Sequence, residues 1–195
     1  VPEKVQAESS DFYYNRGNSK RKLKDFSGAI SDFNKAMEIN PRFAEAYYKR
    51  GNAKYDLKDY FGAIFDYTKV IEINTSIAGA YSNRGIAKYN SDDHLGAISD
   101  YSKAIKINPK EADAYANRGV AKRKSGDNYG AISDYNKAIS ITPDDYFAYY
   151  LRARSKGALG DYSGEISDHT KALELKEDSF KVYFDRAYAN IELKE

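Results

Sequence analysis

The chain has 195 residues and a formal net charge of +2, with 31% of its residues charged. That near balance of signs argues against the strongly basic field of a dedicated nucleic-acid binder, and the absence of cysteine excludes disulfides, thiolate metal sites and thiol nucleophiles. No apolar run approaches the ~20 residues needed to cross a bilayer.

In chain order, Val1 to Ser9 reads as a polar lead-in tail without the apolar core of a signal peptide. The missing initiator Met points to a processed or trimmed piece of something longer. From Ser10 the sequence repeats itself at a fixed period of 34 residues, the mark of a stacked-repeat protein. The repeats run 10–43, 44–77, 78–111, 112–145 and 146–179, and 180–195 begins a sixth as a terminal helix that either caps or leaves a repeat incomplete.

Each repeat carries two helical patterns. In the second repeat the first pattern covers Ala44 to Leu57, and the second, Tyr60 to Ile73, places Ala63, Ile64, Tyr67, Val70 and Ile71 on one stripe. Asp25, Asp59, Asp93, Asp127 and Asp161 stand where the second helix needs an N-cap, because a carboxylate can accept an orphan backbone N–H. Pro41, Pro109 and Pro143 end the second helix. Thr75 and Glu177 replace that proline, so those two joints are expected to rest on packing alone. Gly17, Gly51, Gly85 and Gly119 recur inside the first helix at a cost of about 1 kcal/mol each relative to Ala, which predicts close backbone approach there. The slots Tyr13, Tyr47, Tyr81, Tyr115, Tyr149 and Tyr183 are expected to wedge against the partner helix.

An aromatic at position 4, Gly at 8, Ala at 20, Tyr or Phe at 24, Ala at 27 and Pro at 32 of a 34-residue helix–turn–helix unit resemble the tetratricopeptide repeat, in the Asn-Arg-Gly flavour of many bacterial members. The resemblance covers 10–195 and implies an all-α fold, a right-handed α-solenoid of stacked antiparallel helix pairs, five units and a terminal helix. Repeat five departs from the pattern at Glu165, Ala153 and His169, and looser helix packing is expected there.

Comparing repeats within the chain separates scaffold from site, since a position fixed in every repeat serves folding. Arg16, Arg50, Arg84, Arg118, Arg152 and Arg186 form one fixed set, and Asp32, Asp66, Asp100, Asp134 and Asp168 another. A basic stripe for phosphates and an Arg–Asp pair between neighbouring helices both fit, and the match in number and sign favours the pair. The fixed Lys20, Lys54, Lys88, Lys122 and Lys156 read as solvated edges whose stems cover apolar surface.

The resemblance implies that variable positions of the first helices line a concave groove. They supply Tyr14, Asn15, Asn18, Arg21 and Lys22, then Tyr48, Lys49, Asn52 and Tyr55, then Ser82, Asn83, Ile86 and Tyr89. Asn117, Val120, Arg123 and Lys124 follow in repeat four, and Phe147, Tyr150, Leu151 and Arg154 in repeat five. The tyrosines 14, 48, 55, 89 and 150 are the expected anchors. Asn15, Asn83 and Asn117 are suited to an extended backbone, since each amide offers a donor and an acceptor, although a merely tolerated surface Asn fits equally. Arg21, Arg123 and Arg154 would favour acidic segments. Some family members grip a C-terminal carboxylate with a Lys/Asn/Asn/Lys/Arg set; Asn52 and Asn83 match its amides, but Tyr48, Asp113 and Asn117 stand where cations are needed.

Catalysis has little material. His94 and His169 replace aromatics, acidic pairs fall at helix junctions, and no phosphate-cradling glycine loop appears, so neither an enzyme nor a cofactor nor a metal is expected. The expected activity is a non-catalytic scaffold that holds a protein or peptide partner. An RNA-binding helical repeat is disfavoured by the charge balance and by Asp11, Glu45, Asp56 and Asp113 on the groove face. A self-assembling spacer is the other alternative, through Phe184, Tyr188 and Ile191 of the last helix, which would make the chain a homo-oligomer.

Overall fold

The structure, a computed structural model, describes residues 8–194, and the chain divides into two compact blocks, Val1–Asp92 and Asp93–Glu195. All regular structure among the described residues is helical. The first block holds α1 (Ser10–Lys22), α2 (Phe26–Ile39), α3 (Ala44–Asp56), α4 (Tyr60–Ile73) and α5 (Ala78–Asn90). The second holds α6 (His94–Ile107), α7 (Ala112–Lys124), α8 (Asn128–Ile141), α9 (Tyr146–Gly157), α10 (Tyr162–Leu175) and α11 (Phe180–Glu192). Within each block every helix packs antiparallel on its successor, the arrangement of an α-solenoid. Of the expected tail, residues 1–7 lie outside the described residues, and Ser9 belongs to α1 as its N-cap, accepting from the Phe12 N–H at 3.1 Å.

Local chemistry sets the helix ends. The expected aspartates cap α2, α4, α6, α8 and α10, each accepting at 2.8 to 2.9 Å from the N–H of a glycine three residues on. A side chain at that glycine would collide with the capping carboxylate, so Asp and Gly form one device. First helices close on a left-handed residue at the same place in each repeat, Lys24, Lys58, Asp92, Gly126 and Gly160. The joint at Thr75 does not rest on packing alone. Asn74 Oδ1 accepts from the Ser76 N–H at 2.9 Å, the same side-chain turn that Asn40 and Asn108 make beside their prolines.

The core is built around the aromatic of each second helix. Phe33, Tyr67, Tyr101 and Tyr135 are buried, and His169 takes the slot in repeat five. Gly17, Gly51 and Gly119 of the first helices make room chiefly for these rings, Gly17 also for the Ala29 carbonyl, rather than for an approaching backbone alone. A methyl at Gly51 would stand 2.8 Å from the Tyr67 ring, and one at Gly119 2.6 Å from the Tyr135 ring. In repeat five Ala153 takes the glycine's position and His169 the ring's, so the added methyl goes with a smaller ring.

The fixed charges are scaffold. Arg16, Arg50, Arg118 and Arg152 each donate Nε at 2.8 to 2.9 Å to the aspartate of the following helix, with a second bond from Nη2 to the other oxygen. The lysines correct the solvated-edge expectation: Lys20, Lys54, Lys122 and Lys156 pair with the same aspartates at 2.8 to 2.9 Å. Each of these buried carboxylates therefore meets two cations. Arginine also reaches back one repeat, Arg50 to Asn34, Arg118 to Ser102 and Arg152 to Asn136.

Gly119→Ala should lose about 1–2 kcal/mol in urea unfolding despite the better helix propensity of Ala, because Tyr135 cannot yield. Adding Tyr135→His, which reproduces the Ala153–His169 pairing, should recover part of that loss. A second measurement concerns acid. Hydrogen bonds from Arg16, and then from Lys20, hold the Asp32 carboxyl down at about 2 against an ordinary 3.8. A depressed carboxylate contributes stability that is present above its unfolded pKa and lost as pH falls through the folded one. Asp32→Asn should therefore be less stable at pH 7 and lose less on acidification from pH 4 to pH 2 than the parent.

Candidate functional site

The groove residues of the first block stand on α1, α3 and α5, where the 34-residue period brings equivalent positions side by side. Tyr14, Asn15, Asn18, Arg21, Lys22 and Lys49 line a cleft of about 460 Å³. It adjoins a second of about 340 Å³, with which it shares Tyr14 and Lys49, and whose floor is Val70 and Ile77. A third, of about 90 Å³, shares Arg21 and is lined by Asn52, Tyr55, Tyr67, Asn83 and Ile86. The expected groove residues of this block are thus neighbours along one furrow, with Tyr89 at Ile86's end of α5.

Several are already committed to one another. Asn83 Nδ2 donates to Tyr48 Oη at 2.8 Å and to Asn52 Oδ1 at 3.3 Å, and Tyr67 Oη donates to Asn52 Oδ1 at 2.7 Å. Burial pushes the Tyr67 hydroxyl well above its ordinary pKa, so it remains a donor. Asn90, which the sequence reading missed, donates to Tyr55 Oη at 3.1 Å. Arg21 is paired with Asp56 at 2.7 Å, so its charge is spent locally rather than offered to an acidic ligand. Tyr48 packs on Tyr67 and between two core clusters, which makes it a framework residue more than an exposed anchor. Ser82 is buried. What faces outward is Asn15, Asn18, Lys22, Lys49 and one side of Tyr14, whose ring packs on Phe43.

In the second block Asn117, Val120 and Arg123 lie on α7, with Val120 packed against the main core cluster and Arg123 Nε buried without a hydrogen bond to a described residue. Phe147 is exposed, but Tyr150 and Leu151 are in the core, which corrects the reading of Tyr150 as a surface anchor and of Leu151 as a groove residue. Tyr150 Oη donates to Asp185 Oδ2 at 3.2 Å, and Arg154 lies over the Tyr150 ring. On α11, Phe184, Tyr188 and Ile191 are exposed while Val182 and Ala189 turn inward.

Repeat five is where the looser packing expected from Glu165, Ala153 and His169 takes a definite form. A cavity of about 400 Å³ opens between α9, α10 and α11, with Arg154, Glu165, Phe184, Asp185 and Tyr188 in its walls. Glu165 is only 9% exposed and fits because Gly157 faces it, a side chain there overlapping its carboxylate. His169 is fully buried, and Glu165 Oε1 lies 3.4 Å from its Nε2, too poorly aligned for a hydrogen bond. Burial pushes the imidazole down from its ordinary pKa, and burial together with the Asp185 charge pushes the Glu165 carboxyl up. Gly157 and Asp185 went unremarked in the sequence, though a Gly at a position held by Tyr or Arg in repeats one to four was a visible departure.

No group of His, Cys, Asp or Glu able to hold a metal occurs among the described residues, and no helix is long and apolar enough to cross a membrane. A family model described as TPR repeat matches residues 17–58 and 93–126, and two described as tetratricopeptide repeat match 44–76 and 112–145. No curated protein matches the sequence. The solved structure of MamA protein is 31% identical, with a TM-score of 0.83 over 88% of this chain and 94% of that one. YrrB, described as a TPR protein with an unusual peptide-binding site, is similar in fold at 18% identity, with a TM-score of 0.79 over 94% and 93%. The first TPR of Spaghetti (RPAP3), solved with an HSP90 peptide, gives 22% and 0.59 over 60% and 94%.

A carboxyl largely withdrawn from solvent beside a second carboxylate, as Glu165 is beside Asp185, costs stability. Glu165→Ala, which restores the residue found at this place in repeats one to four, should raise the urea midpoint, by about 1–2 kcal/mol in free energy.

Proposed function

The chain belongs to the tetratricopeptide repeat family, and on that premise we propose that it is a protein-interaction scaffold whose first-block furrow holds an extended, acidic peptide segment. The observation that carries this reading is the run of adjoining clefts over α1, α3 and α5, joined through Tyr14, Lys49 and Arg21. An extended peptide suits a long shallow furrow better than a compact ligand does, because its backbone can be followed from repeat to repeat. Asn15 and Asn18 supply amide donors and acceptors for that backbone. Lys22 and Lys49 supply positive charge once Arg21 is neutralised by Asp56, with Glu45 an acid beside Lys49, and Val70 and Ile77 floor a pocket for one apolar side chain. Tyr48, Asn52, Tyr67 and Asn83 hold the furrow's shape by bonding to each other. Two structural neighbours, YrrB and Spaghetti, are described with peptides or a peptide-binding site, which agrees with this use of the fold.

The test is selection from an array of immobilised 12-residue peptides, run beside single-stranded RNA. The wild-type chain should select acidic sequences bearing one apolar residue. The variant Asn15→Ala/Asn18→Ala/Lys22→Ala/Lys49→Ala, which leaves every framework hydrogen bond intact, should bind them at least about tenfold more weakly, some 1.4 kcal/mol. Equal binding by the variant would refute the furrow. Selection of RNA with a steep loss of affinity in salt would replace the peptide reading.

A further inference from the structure

The repeats provide an internal reference for the cavity in repeat five. In the first block the equivalent place is the small cavity of about 90 Å³, closed by Asn52, Tyr55 and Tyr67 of one repeat and by Asn83 and Ile86 of the next. There Tyr67, Asn52, Asn83 and Tyr48 satisfy one another with hydrogen bonds. At the same repeat positions the second block has His169, Arg154, Asp185 and Tyr150. Only the Tyr150–Asp185 bond is kept, at 3.2 Å. Gly157 replaces the ring of Tyr55, the imidazole is shorter than a phenol, and Tyr188 stands where Ile86 was, so the space grows to about 400 Å³. That volume falls in the ~300–1,000 Å³ range of ligand pockets. Into it the chain places Glu165, a carboxylate where the other repeats hold Ala.

Glu165 is about nine-tenths buried and lines the cavity, where its carboxylate makes no hydrogen bond to a described residue and keeps its remaining solvent contact through the opening. Behind it both ring nitrogens of the fully buried His169 are also without a hydrogen bond. Natural structures seldom leave buried ring nitrogens unmatched, because each unmade bond costs about 1–3 kcal/mol. The lining charges are two carboxylates, Glu165 and Asp185, against the one cation of Arg154, so the unfilled space is net negative. Two exposed rings, Phe184 at 64% and Tyr188 at 57%, stand at its rim.

We propose that this cavity is a specificity pocket for a guanidinium, the side chain of an arginine in a bound peptide. Guanidinium is planar, weakly hydrated and able to meet a carboxylate with two parallel bonds while lying against an aromatic face. Glu165 takes the head, Asp185 adds attraction from α11, and Phe184 and Tyr188 sandwich the stem. Arg154 is held back over the Tyr150 ring and limits the pocket to a single cation. The peptide as source rests on the scaffold reading above, whereas the pocket's chemistry does not.

The experiment is a titration of the ¹⁵N-labelled chain with N-acetyl-arginine methylamide to about 20 mM, followed by NMR. The citrulline and lysine counterparts are run in parallel. The expected result is saturable shifts at the amides of 153–169 and 183–189 with the arginine compound. The neutral citrulline isostere should give none, and lysine should bind several-fold more weakly. Glu165→Gln, which keeps the shape and removes the charge, and Glu165→Ala, which restores the ordinary repeat residue, should each weaken binding about tenfold or more. The furrow variant of the first block should bind the arginine compound as the wild type does, which separates failure of this pocket from failure of the furrow. No saturable shift, equal shifts from citrulline or from lysine, or an unaffected Glu165→Gln variant would overturn the assignment.

Discussion

Everything in this fold hangs on a carboxylate that would be costly to bury alone. Asp66 is completely shielded from solvent, and Asp32, Asp134 and Asp168 nearly so. Burial of a charge is tolerable only where its partners are close and its lone pairs are used. Arginine and lysine from the preceding helix meet that condition at every one of these aspartates, so the two helices of a pair cannot slide without exposing an unmatched charge. The same arginines reach back to the previous repeat and lie over the tyrosine three residues earlier, as Arg50 does with Asn34 and Tyr47. One guanidinium thus ties three helices together. An apolar interface of similar area would tolerate several registers, whereas this arrangement admits one.

That constraint explains what could be read directly and what could not. Period, helix pairs and aspartate caps are local or repetitive, and each follows from residue type and spacing. The pairing of Arg with Asp was also legible, because two fixed sets of opposite sign, one on each helix of the pair, have few other uses. The role of the lysines was not. Lys54 looks like any solvated lysine until the fold shows that the turn between α3 and α4 brings its ammonium onto Asp66. The glycines of the first helix were correctly read as close-approach positions, but the approaching group is the Tyr67 or Tyr135 ring, and a side chain's reach across a helix pair is not written in the spacing of either helix.

The candidate site was legible as a list of positions and not as a set of roles. A groove position in a repeat can point at a ligand or at its neighbour in the next repeat, and only the fold decides. Asn83 and Asn15 occupy the same repeat position, yet Asn83 is engaged by Tyr48 and Asn52 while Asn15 stands at the mouth of a cleft. The difference arises because Asn83 has a repeat before it and Asn15 has none within the described residues. Arg21 likewise looks available until α3 brings Asp56 to 2.7 Å. On the peptide-binding reading proposed above, residues that complete the furrow by bonding to each other contribute its shape, and the few left over carry its selectivity.

Repeat five shows how a repeat architecture acquires a local peculiarity without losing its frame. Arg152, Lys156 and Asp168 keep the charged node of the other repeats, Asp161 keeps its cap on Gly164, and Ala172, Leu173 and Val182 keep the core continuous. The changes cluster around one cavity, where Glu165, Gly157 and Asp185 of the following helix depart together, backed in the core by His169 and Ala153. A carboxylate added at a position that otherwise holds Ala does not improve packing, and burial makes it harder to ionise. Such a residue opposes stability, so its presence beside an intact scaffold is better explained by what it meets than by what it holds up. The coordinated replacement of a self-satisfied hydrogen-bond node by an unsatisfied, net-negative cavity is the physical difference between a repeat that only stacks and one equipped to recognise a cation.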